Sequence, residues 1–445
     1  MAETSLDAIR SCLEGVIPAT VATCSLEGVP NATYVSQMHY VDARHVALSF
    51  QFFSKTRDNI LANPQATALV IEPVTGASYR LDLLYLRTET AGALFQSMKA
   101  KLAGIASHTG MSGVFKLQGA DVYRVLGVER VSARVVDAPI PPRNLLNALR
   151  NTSMALAECT RLDALVDQTL VSLGSEFGIE HALLLMADDS TRRLYTVASR
   201  GYAATGVGSE IAFGDGVIGV AAQYRTPIRI SHMTLEYRYG QAARASALSI
   251  AEAPVLEVEI PFPGLAEPHS QLAVPILAAG RLLGVLCVES RQELRFSYDD
   301  EDALVVLAAQ LGVAIHAIQQ EAESASAPPP SAAAPLPGGR PMEVKHYAAN
   351  DSVFVDGEYL IKGVPGAILW KLLRTSTESG RYDFSNRELR MSPELKLPEI
   401  TDNLEARLIL LQRRLAERCP QLLIEKTGRG QFRLRIARAL LLVES

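Results

Sequence analysis

Apolar and polar positions alternate in short runs through the first 131 residues. "IPATVATCS", "ATYVSQMHYV", "HVALSFQFF", "ATALVIE", "SYRLDLLYLR" and "ADVYRVLGVERV" are rich in β-branched and aromatic residues and bounded by Gly, Pro, Asn or Asp, the pattern of strands. Between Glu89 and Ile105 the period changes, and Leu94, Met98, Leu102 and Ile105 fall at helical spacing. Many short strands with a couple of helices predict a barrel.

From residue 143 the pattern becomes helical. Leu145, Leu146, Leu149, Met154 and Leu156 lead into Leu162, Leu165, Val166, Thr169, Leu170 and Leu173. Strands follow at "HALLLMAD", "RRLYTVASRG", "PIRIS", "SQLAVPILAAG" and "RLLGVLCVES", and a helix from Asp299 to about Gln319 closes this α+β block. The last block has strands at "SVFVDG" and "EYLIKG", helices at 365–375, 385–390 and 401–418, and a closing hairpin, "LLIEKTGRGQFRLRI", turned at Gly428-Arg429-Gly430. Strands, three helices and a glycine-tipped hairpin are the build of a winged helix.

Composition sets the joints. "ESASAPPPSAAAPLPGGRP" at 323–341 cannot build a core and predicts a semi-extended linker. "VVDAPIPPR" at 135–143 ends the strand-rich region. The chain of 445 residues then reads as a multidomain α+β protein with blocks at 1–138, 143–322 and 342–445. Hydrophobic residues at 48% with 20% charged suit a soluble globular chain, and a net charge of −5 argues against wholesale polyanion binding while leaving room for one basic domain. Five scattered cysteines without a C-x-x-C pair suit reduced thiols, and Cys287 on a central strand reads as a small buried hydrophobe. No segment reaches 18 uninterrupted apolar residues, and the acidic start is unlike a signal, so the expected compartment is the cytoplasm, with no membrane contact.

One turn concentrates chemistry. In "SFQFFSKTRDNILANPQATALV" (49–70), Ser54, Lys55, Thr56, Arg57 and Asn59 crowd into a strand-to-helix junction. Such a turn exposes backbone N–H groups at the positive end of the helix dipole, which suits a phosphate monoester. An N-cap at Ser54 followed by a solvated basic turn explains the same residues.

The first block resembles the FMN-binding split barrel of the pyridoxamine 5'-phosphate oxidase-like superfamily. "SKTRDNILANP" places Ser54 at that family's serine, Lys55 at its first cation and Asn63-Pro64 at its close, while the second cation falls on Thr56 with Arg57 one place late. The family's upstream arginine and lysine fall on Tyr34 and His39. The resemblance implies that Val35, Ser36 and Gln37 lie along a flavin, with Ser49, Phe50 and Gln51 beside its ring. FMN is the ligand so implied, and flavin-free dimerisation, haem or a deazaflavin are the alternatives. Such barrels dimerise with flavin sites between protomers.

In the middle block, "GSEIAFGDGVIGVAAQYRTPIRI" (208–230) sets Gly214, Gly216 and Gly219 before a helix, and "LAVPILAAGRLLGVLCVES" makes a hairpin. Together they resemble a GAF sensory domain over roughly 150–320. The cyclic-nucleotide signature is missing, so the resemblance names no ligand. Residues 236–270 interrupt the pattern as a lid or an extra hairpin.

The last block resembles the effector domain of OmpR/PhoB-type regulators, on "IEKTGRGQFRL" and the front Asp356-Gly357 hairpin. That resemblance nominates Arg407, Gln412, Arg413, Arg414, Lys426, Arg429 and Arg433 for DNA or partner contact. Leu404, Leu408, Leu411 and Leu415 form the core stripe of the long helix. Ile409, Leu410, Asp402 and Glu405 leave its outer face apolar and partly acidic, which suits a protein partner or a neighbouring domain better than a major groove. The expected protein is a homodimeric sensor-regulator of transcription. A flavin-dependent oxidoreductase with regulatory domains, or a ligand-free scaffold, is the alternative.

Overall fold

The computed structural model describes residues 4–13, 17–35, 38–50, 55–108, 117–131, 143–231, 260–323, 341–395 and 404–444. The chain is a mixed α/β multidomain protein, and its described residues form four sheets.

The N-terminal unit is one antiparallel sheet of seven strands in the order β2-β1-β5-β6-β7-β4-β3. Its strands are β1 (Ala19–Cys24), β2 (Pro30–Val35), β3 (Met38–Asp42), β4 (His45–Phe50), β5 (Gln65–Ile71), β6 (Ser78–Glu89) and β7 (Gly119–Arg130). Alternation decides which side chains go inside: Val21, Val46, Leu48, Ala68, Val70, Leu81 and Leu83 form the core. The stretch 32–41, read as one strand, runs as two that lie at opposite edges of the sheet. Two helices accompany the sheet, α1 (Lys55–Ala62) and α2 (Ala93–His108). The second starts later than its periodicity suggests because β6 continues to Glu89 and Gly92, at φ +93°, turns the chain.

The central unit is a six-stranded sheet, β10-β9-β8-β13-β12-β11. It comprises β8 (His181–Asp188), β9 (Arg193–Arg200), β10 (Glu210–Ala212), β11 (Ile228–Ile230), β12 (Ser270–Ala278) and β13 (Arg281–Ser290). Helices α3 (Leu145–Ala157), α4 (Leu162–Ser175) and α6 (Tyr298–Glu323) share an apolar core with one face of the sheet, and α5 (Gly216–Tyr224) packs on the other. Both faces are buried, so "ALLLM" and "LLGVLCV" read as continuous apolar runs: Leu184 and Leu286 meet the helices, while Leu183, Val285 and Cys287 share the opposite cluster with α5. Gly219 is required by a close approach, since a Cβ there would sit 2.2 Å from the Ala212 carbonyl oxygen. Among the described residues one helix, over Tyr298–Glu321, is long and apolar enough to cross a membrane. In the fold its Leu304, Leu307, Leu311 and Ile315 are fully buried in the core, and Asp300 and Glu301 in its first turn are ion-paired.

The C-terminal unit has two sheets. β14 (Met342–Tyr347), β15 (Ser352–Val355), β16 (Glu358–Ile361) and β20 (Leu440–Glu444) form one, with β20 pairing parallel to β14. β17 (Asp383–Ser385), β18 (Leu422–Gly428) and β19 (Gln431–Ile436) form the other. Between them run α7 (Gly363–Ser379), α8 (Asn386–Arg390) and α9 (Leu404–Arg418). Gly428 pairs with Gln431, so the hairpin loop is Arg429-Gly430, one residue shorter than read, with Gly430 at φ +61°. The cores of the central and C-terminal units are continuous.

Candidate functional site

The basic turn at α1 is mostly committed to the fold. The Arg57 guanidinium donates to both Asp121 carboxylate oxygens at 2.7 and 2.9 Å and to Thr88 Oγ1 at 3.3 Å. Thr88 in turn donates to Asp121 at 2.5 Å and shares a 2.7 Å bond with Tyr85. This half-buried network clamps α1 to β6 and β7, with Arg57 Nη1 shared between the two Asp121 oxygens and Nη2 turned to Thr88, charge-assisted bonds to an ionised partner. Thr56 Oγ1 accepts from Asn31 at 2.8 Å, and buried Asn59 donates to Thr23 at 3.1 Å. Lys55 alone is exposed and without an ion pair among the described residues. Asp121, Thr88, Thr23 and Asn31 were not singled out in the sequence. The available signal was Asp121 itself, a carboxylate at an inward position of the "ADVYRV" strand.

Tyr34 and His39 do not share one row. Tyr34 is 80% exposed on β2, while Val35 packs from the opposite face against the core. His39 is buried on β3, where desolvation, with Lys101 and Arg229 adding to it, pushes its pKa down to about 3. The neighbouring arginine comes from β11, so the central unit covers the position that the resemblance gives to a flavin-facing cation. Ser49 is half-buried opposite Ala120 on β7, and Phe50 closes β4 opposite Gly119. Ser36, Gln37, Gln51 and Ser54 lie outside the described residues, as does the stretch 236–259.

The contact between these units is charged and aromatic. Arg229 bonds Glu301 at 2.8 Å and lies 4.3 Å over the Tyr298 ring, with Lys101 3.9 Å from the same carboxylate. Arg10 lies 4.7 Å from the rings of both Tyr40 and Tyr298 and bonds Asp302 at 3.0 Å. Burial works to raise the Glu301 pKa, but Lys101 and Arg229 outweigh it and hold the carboxyl below its ordinary range.

The surface nominated for DNA or partner contact is occupied by the chain itself. α9 packs across β9 and α4, with Ile409 and Leu410 buried. Arg407 pairs with Asp188 at 3.0 Å, both side chains under 10% exposed. Arg413 bonds Asp167 at 2.7 Å and the Val197 carbonyl at 3.0 Å. Lys426 lies 3.0 Å from Glu405 and 3.7 Å from Asp163, and Arg429 lies 3.0 Å from Glu321. Gln412 donates to the Ile424 carbonyl, Arg414 to the Leu360 carbonyl and Arg433 to Asp383, all within the C-terminal unit. A cleft of about 340 Å³ opens along this seam, lined by Thr160, Arg161, Glu321, Glu405, Lys426 and Arg429 among others. The buried Cys287 thiol is pushed well above its ordinary pKa by desolvation, which leaves it unreactive. Among the described residues no His, Cys, Asp and Glu cluster is placed to hold a metal.

Residues 5–117 match the family model for pyridoxamine 5'-phosphate oxidase, and residues 161–315 match the GAF domain model. Among solved structures, the GAF domain of an Acinetobacter phosphoenolpyruvate-protein phosphotransferase is 22% identical, over 40% of this chain and 97% of that one, with a TM-score of 0.31. The free methionine-R-sulfoxide reductase of Neisseria meningitidis, in complex with its substrate, is 21% identical over 40% of this chain and 90% of that one, TM-score 0.31. An FMN-binding protein from Syntrophomonas wolfei is 16% identical over 28% of this chain and 86% of that one, TM-score 0.25. No curated protein matches the sequence. The chain therefore carries a pyridoxamine 5'-phosphate oxidase-like N-terminal domain and a central GAF domain. A sensory domain of the GAF kind beside a domain of the flavin-binding type fits a sensing protein.

Proposed function

We propose that this protein is a cytoplasmic sensory regulator in which the N-terminal and GAF domains take small ligands and the C-terminal unit is a winged-helix output. The observation that carries this reading is the seat of α9. Of the parts that an OmpR/PhoB-type unit would offer to DNA or to a protein partner, the helix rests on β9 and α4 of the GAF domain, and the hairpin reaches α4 and α6 through Lys426–Asp163 and Arg429–Glu321. A ligand that binds two packings of the GAF domain with different affinity would shift that contact without any further relay.

FMN is the ligand we assign to the N-terminal domain, on the strength of its family match. The described residues fit it in part. Lys55 offers an uncommitted cation at the start of α1, where an anion is favoured, whereas Arg57 and Thr56 are bonded within the chain and His39 lies under the GAF domain. A phosphate here would be held chiefly by Lys55 and the helix terminus. Bound flavin would supply redox chemistry, and the protein's part is to position and tune it.

The test is an absorbance spectrum of the purified chain after incubation with FMN, repeated with Lys55→Ala. Paired flavin bands that stay with the protein through gel filtration, and are lost in the variant, support the assignment. A chain that stays colourless removes flavin and leaves sensing to the GAF domain.

A further inference from the structure

The sheet β16-β15-β14-β20 turns one face to the core of the C-terminal unit, where Val344, Val353 and Leu360 join Ile368 and Leu372 of α7. Strand alternation and register put Tyr347, Phe354 and Tyr359 on its other face, with Leu441 and Val443 beside them on β20. The open side of a sheet is ordinarily polar. Here three rings form an edge-to-face ladder across three strands, Tyr347 to Phe354 at 5.4 Å between centroids and Phe354 to Tyr359 at 5.5 Å. Leu441 is 53% exposed and Tyr347 36%. The rim of this face is acidic. Glu343, Asp351, Asp356, Glu358 and Glu444 stand on these strands and their turns, against Lys345 and Arg438. Arg438 answers Asp356 at 3.0 Å, and His346 lies 3.1 Å from Asp351. Glu343 and Glu358 are exposed and enter no ion pair among the described residues. Lys345 holds its ammonium 4.9 Å over the Tyr347 ring, so that ring already takes a cation.

We infer that this face docks an extended, arginine-bearing segment of a partner protein. Exposed rings favour any apolar cover, but a purely apolar or acidic one would strand the carboxylates around them. A guanidinium satisfies both features, because its plane stacks on an aromatic ring while its N–H groups donate to a carboxylate. A phosphate backbone would meet like charge on every side of the ladder. Cross-strand ring pairs also steady a sheet, but that role does not account for exposed Leu441 or for the uncommitted Glu343 and Glu358. The face uses none of the residues that seat α9 on the GAF domain, so it does not depend on the winged-helix reading. It gives the C-terminal unit a partner surface that stays open while α9 is docked.

The experiment titrates the full chain into a fluorescein-labelled peptide of alternating arginine and alanine, read by fluorescence anisotropy at low salt. Glu343→Lys with Glu358→Lys reverses the rim, and Tyr347→Ser removes the end of the ladder. A control, Glu27→Lys with Asp189→Lys, makes the same change of net charge at exposed positions of the other two domains. Binding is expected to be roughly threefold to tenfold weaker in the rim variant than in the control, and weaker by a similar factor in Tyr347→Ser than in the wild type. Amide exchange should show the peptide protecting 342–347 and 440–444. A rim variant that binds as tightly as the control overturns the inference, since the attraction is then one of general charge. A peptide bound by no form overturns the arginine partner and leaves the ladder to the sheet alone. Exchange over 364–373 reports the fold of each variant. Should Tyr347→Ser loosen it, the rim variant decides, because both of its side chains are exposed.

Discussion

Lys55 and Arg57 stand two positions apart and do different work. Arg57 reaches back to Asp121 and Thr88, so Arg57→Ala strands a buried carboxylate and should cost about 2–4 kcal/mol, measured by urea unfolding. Lys55→Ala should change stability by less than about 0.5 kcal/mol and show its effect only on ligand. Equal stability losses in the two would contradict this division of labour. The sequence could place both cations at a helix start, because Ser, Thr and Lys clusters mark such junctions. It could not say which one was taken, since Asp121 lies 64 residues away and meets Arg57 only through the sheet. His39 gives a pH prediction. Its pKa falls from an ordinary 6.5 to about 3 in the fold, so the unfolded chain binds the proton more readily. Its contribution to stability is therefore full above pH 6.5 and is lost progressively as pH falls toward 3. His39→Gln should flatten that part of the stability profile, and an unchanged slope would place His39 in water rather than against Lys101 and Arg229.

At the scale of elements, the legible parts were those whose partners are close in sequence or whose burial is one-sided. The strands of the N-terminal domain, 32–41 excepted, and the α9 stripe of Leu404, Leu408, Leu411 and Leu415 followed from period alone. β14 and β20 were not read, because each is short and their parallel pairing joins residues nearly a hundred positions apart. The outer face of α9 held a clue of another kind: Ile409 and Leu410 are wrong for a groove full of phosphates and right for a protein surface. The structure sets Leu410 beside Gly208 of the GAF domain. Leu410→Glu should therefore undock α9 while its own unit stays folded around the Leu404–Leu415 stripe. The expected result is faster amide exchange across α9 and the GAF face with a preserved α7 and β14. Loss of protection throughout 341–444 would show instead that Leu410 belongs to the unit's own core.

For the whole molecule, two seams join three units, and both are dense in charge: Arg229, Lys101 and Glu301 at one, and Arg407, Arg413, Lys426 and Arg429 with their carboxylates at the other. The outward sides of α3 and α6 carry Leu146, Met154, Val306 and Val313, all more than half exposed. We place the proposed homodimer contact there, since an apolar stripe on adjacent helices is the kind of surface a second copy covers. Met154→Glu with Val313→Glu should halve the mass seen by sedimentation without loss of the fold, and an unchanged mass would move the contact elsewhere.

The central claim is that the C-terminal unit is seated on the GAF domain, and Arg407 with Asp188 tests it most directly, because the two are 219 positions apart and meet only across that seam. A double-mutant cycle of Arg407→Ala and Asp188→Ala, read by urea unfolding of the full chain at pH 7, isolates their interaction. The account predicts a coupling of about 1–3 kcal/mol. Effects that add to within about 0.5 kcal/mol would mean that the pair is not formed in solution, and that the C-terminal unit stands free of the GAF domain.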